Sequence, residues 1–183
     1  MEEEQKEKSF LREIGETVVF VICVVGLAFL IHRFLGQQVA VDGSSMLNTL
    51  QDGEHLIIEK VSYYKHDPER FDIIVFSPFE DEKDLYYVKR VIGLPGETVQ
   101  IIDSDIYING KKIEENFGRE KIKDPGLAKD PITLGDGEFF VLGDNRNNSE
   151  DSRFEAVGKV KEDSIMGKAC LRIWPINRFG GVK

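Results

Sequence analysis

Apolar residues follow two regimes along the chain: one unbroken run near the N-terminus and, beyond it, short runs that alternate with polar positions. From Thr17 to Ile31 there is no charged residue, and the run continues through His32 and Arg33 to Phe34 and Leu35. As a helix rising about 1.5 Å per residue, residues 17–35 reach roughly 28 Å, close to the hydrocarbon thickness of a bilayer. A cleaved secretory signal needs a basic start and a small-residue exit site. Here the chain opens on Glu2, Glu3 and Glu4, and Gln38 stands where a small side chain is wanted. The run is therefore read as a single retained transmembrane helix. Lys6, Lys8 and Arg12 precede it and Arg33 alone follows at once, so cationic bias puts residues 1–16 in the cytoplasm and the rest on the outer face of the cell membrane.

From residue 36 onward the period is that of strands. Candidate strands are Gln38–Val41, His55–Glu59, Asp72–Ser77, Leu85–Ile92, Thr98–Ile102, Ile106–Ile108, Glu138–Leu142 and Lys168–Trp174. This predicts a mainly β fold: the membrane helix, then an antiparallel β-sheet domain over 36–97 and 137–176, a small inserted β hairpin or flap over 98–136, and a tail over 177–183. Asn109-Gly110 suits a type I′ turn within the insertion. The polar segment 114–131, broken by Pro125-Gly126, reads as a mobile outer loop. Ser44 and Ser45 stand where a helical turn begins.

Composition removes several functions. The net charge of -9 is spread along the chain without a basic stripe, which excludes nucleic acid as a partner. Cys23 lies in the apolar run and Cys170 in a late strand, so no disulfide is expected. No His/Cys spacing resembles a zinc site. His32, His55 and His66 lack the context of a catalytic triad.

Three segments have the residue types for chemistry. Residues 41–50 set Gly43 and Ser44 beside Ser45 just after a strand and just beyond the membrane, and such small neighbours let a backbone N–H face a developing oxyanion. A plain Ser/Gly turn has the same composition. Residues 86–97 form a strand in which Lys89 shares a face with Tyr87 and Val91 while Arg90 points the other way, so one cation faces inward. Stripped of hydration, a lysine there loses its proton more readily and can act as a base; paired with a carboxylate, it is only structural. Residues 142–153 are dense in short polar and charged side chains and could present Ser149 to a lysine. They do not fit a calcium loop, since Arg146 falls at a ligand position.

Taken together and in this order, the segments resemble the characteristic boxes of the type I signal peptidases, in the shorter form typical of Gram-positive bacteria. The most specific parts of the match are residues 87–96 and 143–146. The resemblance implies a serine endopeptidase without metal or organic cofactor. In it Ser45 attacks the scissile carbonyl and Lys89 removes its proton, through an acyl-enzyme. It further implies that Ser149 orients the lysine and that Asp144, Arg146, Asp151 and Arg153 support the loop. The Ser45 N–H serves as oxyanion donor, with Gly43 at the place where some relatives supply a hydroxyl as the second. Val41, Met46, Leu50, Tyr87 and Val88 are expected to line shallow pockets for a substrate with small residues one and three positions before the cut. Implied partners are signal-peptide-bearing preproteins and membrane lipid. Two positions depart from the family pattern: Asn48 replaces a usual proline and Asn147 a frequent acidic residue. A self-cleaving repressor of the Ser/Lys type would lack its DNA-binding part here. A catalytically silent β module tethered to the membrane is the rival that Asn48 motivates.

Overall fold

The computed structural model describes residues 2–34, 37–64, 66–79 and 85–182, and it divides into two compact units at Gly36/Gln37. The first unit is helix α1, Glu2–Phe34, whose side chains are described from Arg12 to Phe29. Its early turns are polar: Arg12 pairs with Glu16 at 2.9 Å, and the Thr17 hydroxyl donates to the Glu13 carbonyl. Thereafter Val18, Val19, Phe20, Val21, Ile22, Val25, Leu27 and Phe29 are all exposed. Among the described residues no helix is long and apolar enough to cross a membrane. The described apolar stretch, Thr17 to Phe29, covers only about 20 Å at helical rise. The remainder of the expected span, the side chains from Leu30 to Phe34 together with Leu35, lies outside the described residues.

The second unit holds two antiparallel sheets. In chain order its strands are β1 (Gln37–Ala40), β2 (His55–Glu59), β3 (Ile73–Phe76), β4 (Tyr87–Gly93), β5 (Thr98–Ile102), β6 (Asp105–Ile108), β7 (Lys111–Lys112), β8 (Ile132–Thr133), β9 (Glu138–Leu142), β10 (Val160–Lys161), β11 (Ile165–Trp174) and β12 (Gly180–Gly181). The larger sheet runs β1-β2-β11-β3-β4-β9-β10 with β12 added on β11, and the smaller runs β7-β6-β5-β8. Asn109 and Gly110, at φ 52° and 76°, close the β6–β7 hairpin with the positive dihedrals that a type I′ turn demands.

Strand β4 has neighbours on both edges and cover on both faces. Lys89 lies opposite Ile74 on β3, and Arg90 lies opposite Ile73 on β3 and Leu142 on β9. Val91, on the Lys89 face, packs with Ile74, Phe76, Phe139 and Val141. Ile92, on the Arg90 face, packs with Phe140, Leu142 and the small-sheet residues Val99, Ile101, Ile106 and Ile108. Lys89 is thus 4% exposed and Arg90 fully buried. The expectation of one inward cation is corrected to two, because this central strand has no solvent face.

The expected mobile outer loop is packed instead. Ile122 and Ala128 are buried in the core beneath the small sheet. The Leu127 N–H donates to the Arg153 carbonyl, and Arg153 Nη1 donates to the Asp124 carbonyl. Gly126, at φ 54°, comes so close that a Cβ there would meet Arg153 O at 2.3 Å. The segment read as a tail from 177 onward is also tied down: Gly180 and Gly181 pair with Arg172 and Leu171, and Val182 packs on the core cluster of Val41, Met46, Leu50, Leu56, Ile73 and Ala169.

Candidate active site

Ser45 sits in a tight turn that β1 leads into. Bonds from the Leu47 N–H to Ser44 O and from the Leu50 N–H to Met46 O close the turn. Met46 and Leu50 sink their side chains into the core, at 2% and 0% exposure. Burying each contributes about 1.5–3 kcal/mol to holding the turn. Expected at the substrate pockets, Met46 and Leu50 here belong to the core cluster with Val41, Leu56, Ile73 and Ala169. Val41 keeps 6% exposure, while Tyr87 and Val88 are half-buried.

Lys89 Nζ donates to Ser45 Oγ at 2.8 Å. The amine lies 5.0 Å from the centre of the Tyr87 ring. Burial pulls the Lys89 pKa down from its ordinary 10.5 to about 8, against the opposing pull of the Asp151 and Glu150 carboxylates. No carboxylate within the described residues forms an ion pair with it.

Arg90, one residue on, is bound in full. Its Nε and Nη2 donate to the two oxygens of Asp144 at 2.9 and 2.7 Å, its Nη1 to the Phe71 carbonyl at 2.9 Å, and the Phe117 ring stacks 3.7 Å from its guanidinium carbon. Asp144 also accepts from the Thr49 hydroxyl. The ion pair therefore ties β4 to the far end of the nucleophile turn.

Residues 143–153 wrap against that turn from the other side. Asp151 accepts two bonds from the Arg153 guanidinium at 2.8 and 2.9 Å and one from the Gly143 N–H at 3.0 Å. Arg153 Nη2 reaches the Arg146 carbonyl, and Arg146 pairs with Glu115 at 2.6 Å, which fastens this loop to the inserted region. Asn145 grips the nucleophile backbone twice, through its N–H to Ser45 O at 2.9 Å and its Nδ2 to Ser44 O at 3.0 Å. Asn148 Nδ2 donates to Ser44 Oγ at 2.7 Å. Gly143 is required here, since a Cβ would meet Ser149 Oγ at 2.1 Å and Ser45 O at 2.6 Å. Ser149 Oγ is buried and has no hydrogen-bond partner among the described residues.

Among the described residues the Ser45 N–H donates to nothing, whereas the Gly43 N–H donates to Asp52 Oδ1 at 2.8 Å. Gly43 has no side-chain hydroxyl to offer an oxyanion, and its N–H is already committed to Asp52. Asn48 has φ 90°, a conformation closed to proline, so a proline could not stand here without changing the turn. Asn147 also has a local reason: its Nδ2 donates to the Lys121 carbonyl and its Oδ1 accepts from the Lys123 N–H, and a carboxylate cannot supply the donor. His55 bonds Gln38 at the β1–β2 edge, and the His32 side chain lies outside the described residues. No group of three or more His, Cys, Asp or Glu among the described residues is arranged to hold a metal. Cys23 and Cys170 are both free thiols.

A family model described as signal peptidase, peptidase S26, matches residues 14–174. The chain belongs to the signal peptidase family. It is 42% identical to signal peptidase I of Leptolyngbya laminosa over 176 residues, covering 93% of this chain and 81% of that one. Against the probable signal peptidase I-2 of Synechocystis sp. it is 39% identical over 172 residues, 92% of this chain and 75% of that protein. Signal peptidase I T of Bacillus subtilis is 38% identical over 186 residues, 98% and 93% of the two chains. This signal peptidase is accordingly a serine peptidase, in a family that cleaves signal peptides from preproteins and is membrane-associated.

The motif reading named Ser45, Lys89, Ser149 and Asp144 but passed over Asn145, Asn148 and Thr49. Polar residues two and five places after Gly143 were the available signal; what they grip depends on how two distant loops meet.

Proposed function

We propose that this signal peptidase cuts preproteins after a small-x-small site through a Ser45/Lys89 dyad and an acyl-enzyme, without metal or organic cofactor. The observation that carries the reading is the 2.8 Å separation of Lys89 Nζ from Ser45 Oγ, with the amine dry and joined to no carboxylate among the described residues. With a pKa of about 8, roughly a tenth of Lys89 is neutral at pH 7. In that form its lone pair takes the Ser45 proton as Oγ attacks the scissile carbonyl. The resulting oxyanion faces the Ser45 N–H. The ammonium then gives its proton to the leaving amine, and the C–N bond breaks. Lys89, neutral again, takes a proton from water as the water oxygen attacks the ester, then returns that proton to Ser45 Oγ as the ester C–O bond breaks.

Ser149 is assigned to orient the lysine, a role supported by its buried, unpartnered hydroxyl beside Gly143. Asp144, Arg146, Asp151 and Arg153 hold the two loops in register through the ion pairs described above. Val41, Tyr87 and Val88 face the substrate, an extended strand whose first and third residues before the cut point to one side.

Residues 17–35 anchor the enzyme by a single pass, with the N-terminus cytoplasmic and the β domain outside. The charge-free run and the uncovered apolar side chains of α1 support this. In the β domain Trp174, Ile176 and Phe179 are exposed within one short segment, as suits contact with lipid. Confining enzyme and tethered substrate to one surface raises their effective concentration. The test is cleavage of a purified preprotein by the full chain: Ser45→Ala and Lys89→Ala should each abolish it while leaving the circular dichroism spectrum unchanged. Cleavage by either variant at the parent rate contradicts the mechanism.

A further inference from the structure

One exposed carboxylate borders the site without a part in the mechanism above. Glu150 lies between Ser149 and Asp151, and its Oε2 accepts a hydrogen bond from the Tyr87 hydroxyl at 2.9 Å. The same Tyr87 presents its ring to Lys89 Nζ at 5.0 Å, and Phe76 and Phe79 brace that ring edge-on at 6.1 and 6.5 Å. A single aromatic side chain thus links an exposed anion to the buried amine.

We infer that Glu150 is a positioning residue: it latches Tyr87 across Lys89 and, through its charge, raises the pH at which the amine becomes available as a base. This rests on the Ser45/Lys89 reading.

The groups facing Lys89 are few. From the nucleophile turn comes the Ser45 hydroxyl, and from 143–153 come Glu150 and Asp151. Strand β4 contributes Tyr87, while Arg90 points to the opposite face and is neutralised by Asp144. Strands β3 and β9 offer only apolar side chains there, Ile74, Phe76 and Val141. Asp151 is already compensated by Arg153 and holds Gly143, so its charge cannot be changed without dismantling the loop. Glu150 pairs with no cation among the described residues, so its charge can be removed without breaking an ion pair there.

Burial favours the neutral amine, while Asp151 and, less strongly, Glu150 favour the ammonium and oppose it. Glu150→Gln keeps an oxygen to accept the Tyr87 hydroxyl and removes the charge. Tyr87→Phe keeps the ring and removes the latch. Each is expected to lower the Lys89 midpoint by about half a pH unit, the scale of one screened charge several ångströms away. If the latch acts by holding the charge, the double variant shifts no further than Glu150→Gln alone. The shift should shrink in 1 M salt, where the screening length falls to about 3 Å.

The experiment follows the Lys89 amine by NMR in the full chain in detergent, with labelled lysine and Lys89→Ala to identify the signal, beside the pH profile of kcat/KM. A lowered midpoint in Glu150→Gln, matched by Tyr87→Phe and not enlarged in the double variant, supports the inference. An unmoved or raised midpoint in Glu150→Gln overturns it. A parent profile that ignores the Lys89 titration overturns the dyad instead, and the amine midpoints still decide the role of Glu150.

Discussion

Lys89 and Arg90 are adjacent on one strand, both buried, and yet they do opposite work. Arg90 meets a carboxylate with two bonds, a carbonyl with a third and an aromatic face besides, so its charge is fully compensated. Lys89 meets a hydroxyl and an aromatic ring, and its charge is left costly. A buried cation with a partner is a structural pin; a buried cation without one gives up its proton more readily and can act as a base. The two faces of β4 therefore separate stability from chemistry within consecutive residues.

The largest effect should come from removing the ability of residue 89 to deprotonate. Lys89→Arg retains charge but stays protonated at any working pH, so turnover should fall by about 10²–10⁴-fold, measured as kcat/KM on a preprotein. Next, truncating either half of the other pair, Arg90→Ala or Asp144→Ala, should cost about 3–5 kcal/mol in chemical unfolding, since each leaves a buried charge unpaired. The mirror image sharpens the contrast: Lys89→Met should stabilise the fold by roughly 3 kcal/mol at pH 7 while abolishing turnover. Its sign follows from the folded pKa of about 8 lying below the ordinary 10.5. Between those values the unfolded chain binds more protons, so parent stability rises with pH and the advantage of Lys89→Met fades. Smallest is Thr49→Val, where one hydroxyl bridges the structural pair to the nucleophile turn; losing its bond to Asp144 should cost roughly 2 kcal/mol by the same unfolding measurement.

Legibility in the sequence followed the same divide between local and distant causes. Strands His55–Glu59, Thr98–Ile102 and Glu138–Leu142 were readable to the residue because each alternates or runs apolar between turn signals. The two-residue strands β8, β10 and β12 have no period to read, and the start of β11 is hidden by a register shift between Ile165 and Gly167. The loop over 114–131 looked free because its polar residues conceal Ile122 and Ala128, whose burial depends on the small sheet beneath. Motif spacing picked out Ser45 and Lys89. It did not disclose that Met46 and Leu50 turn inward, that Asp52 occupies the Gly43 N–H, or that Asn145 clamps Ser44 and Ser45. Each of these depends on a partner brought in by tertiary folding, and local propensity is silent about such partners.

The pH dependence of kcat/KM on a preprotein, followed from pH 6 to 11, tests most directly whether the buried amine at residue 89 takes the proton of the serine. One ascending limb with its midpoint near 8 is the predicted result. A rate that is flat across that range, or a limb that rises only near the 10.5 of an ordinary lysine, would contradict it.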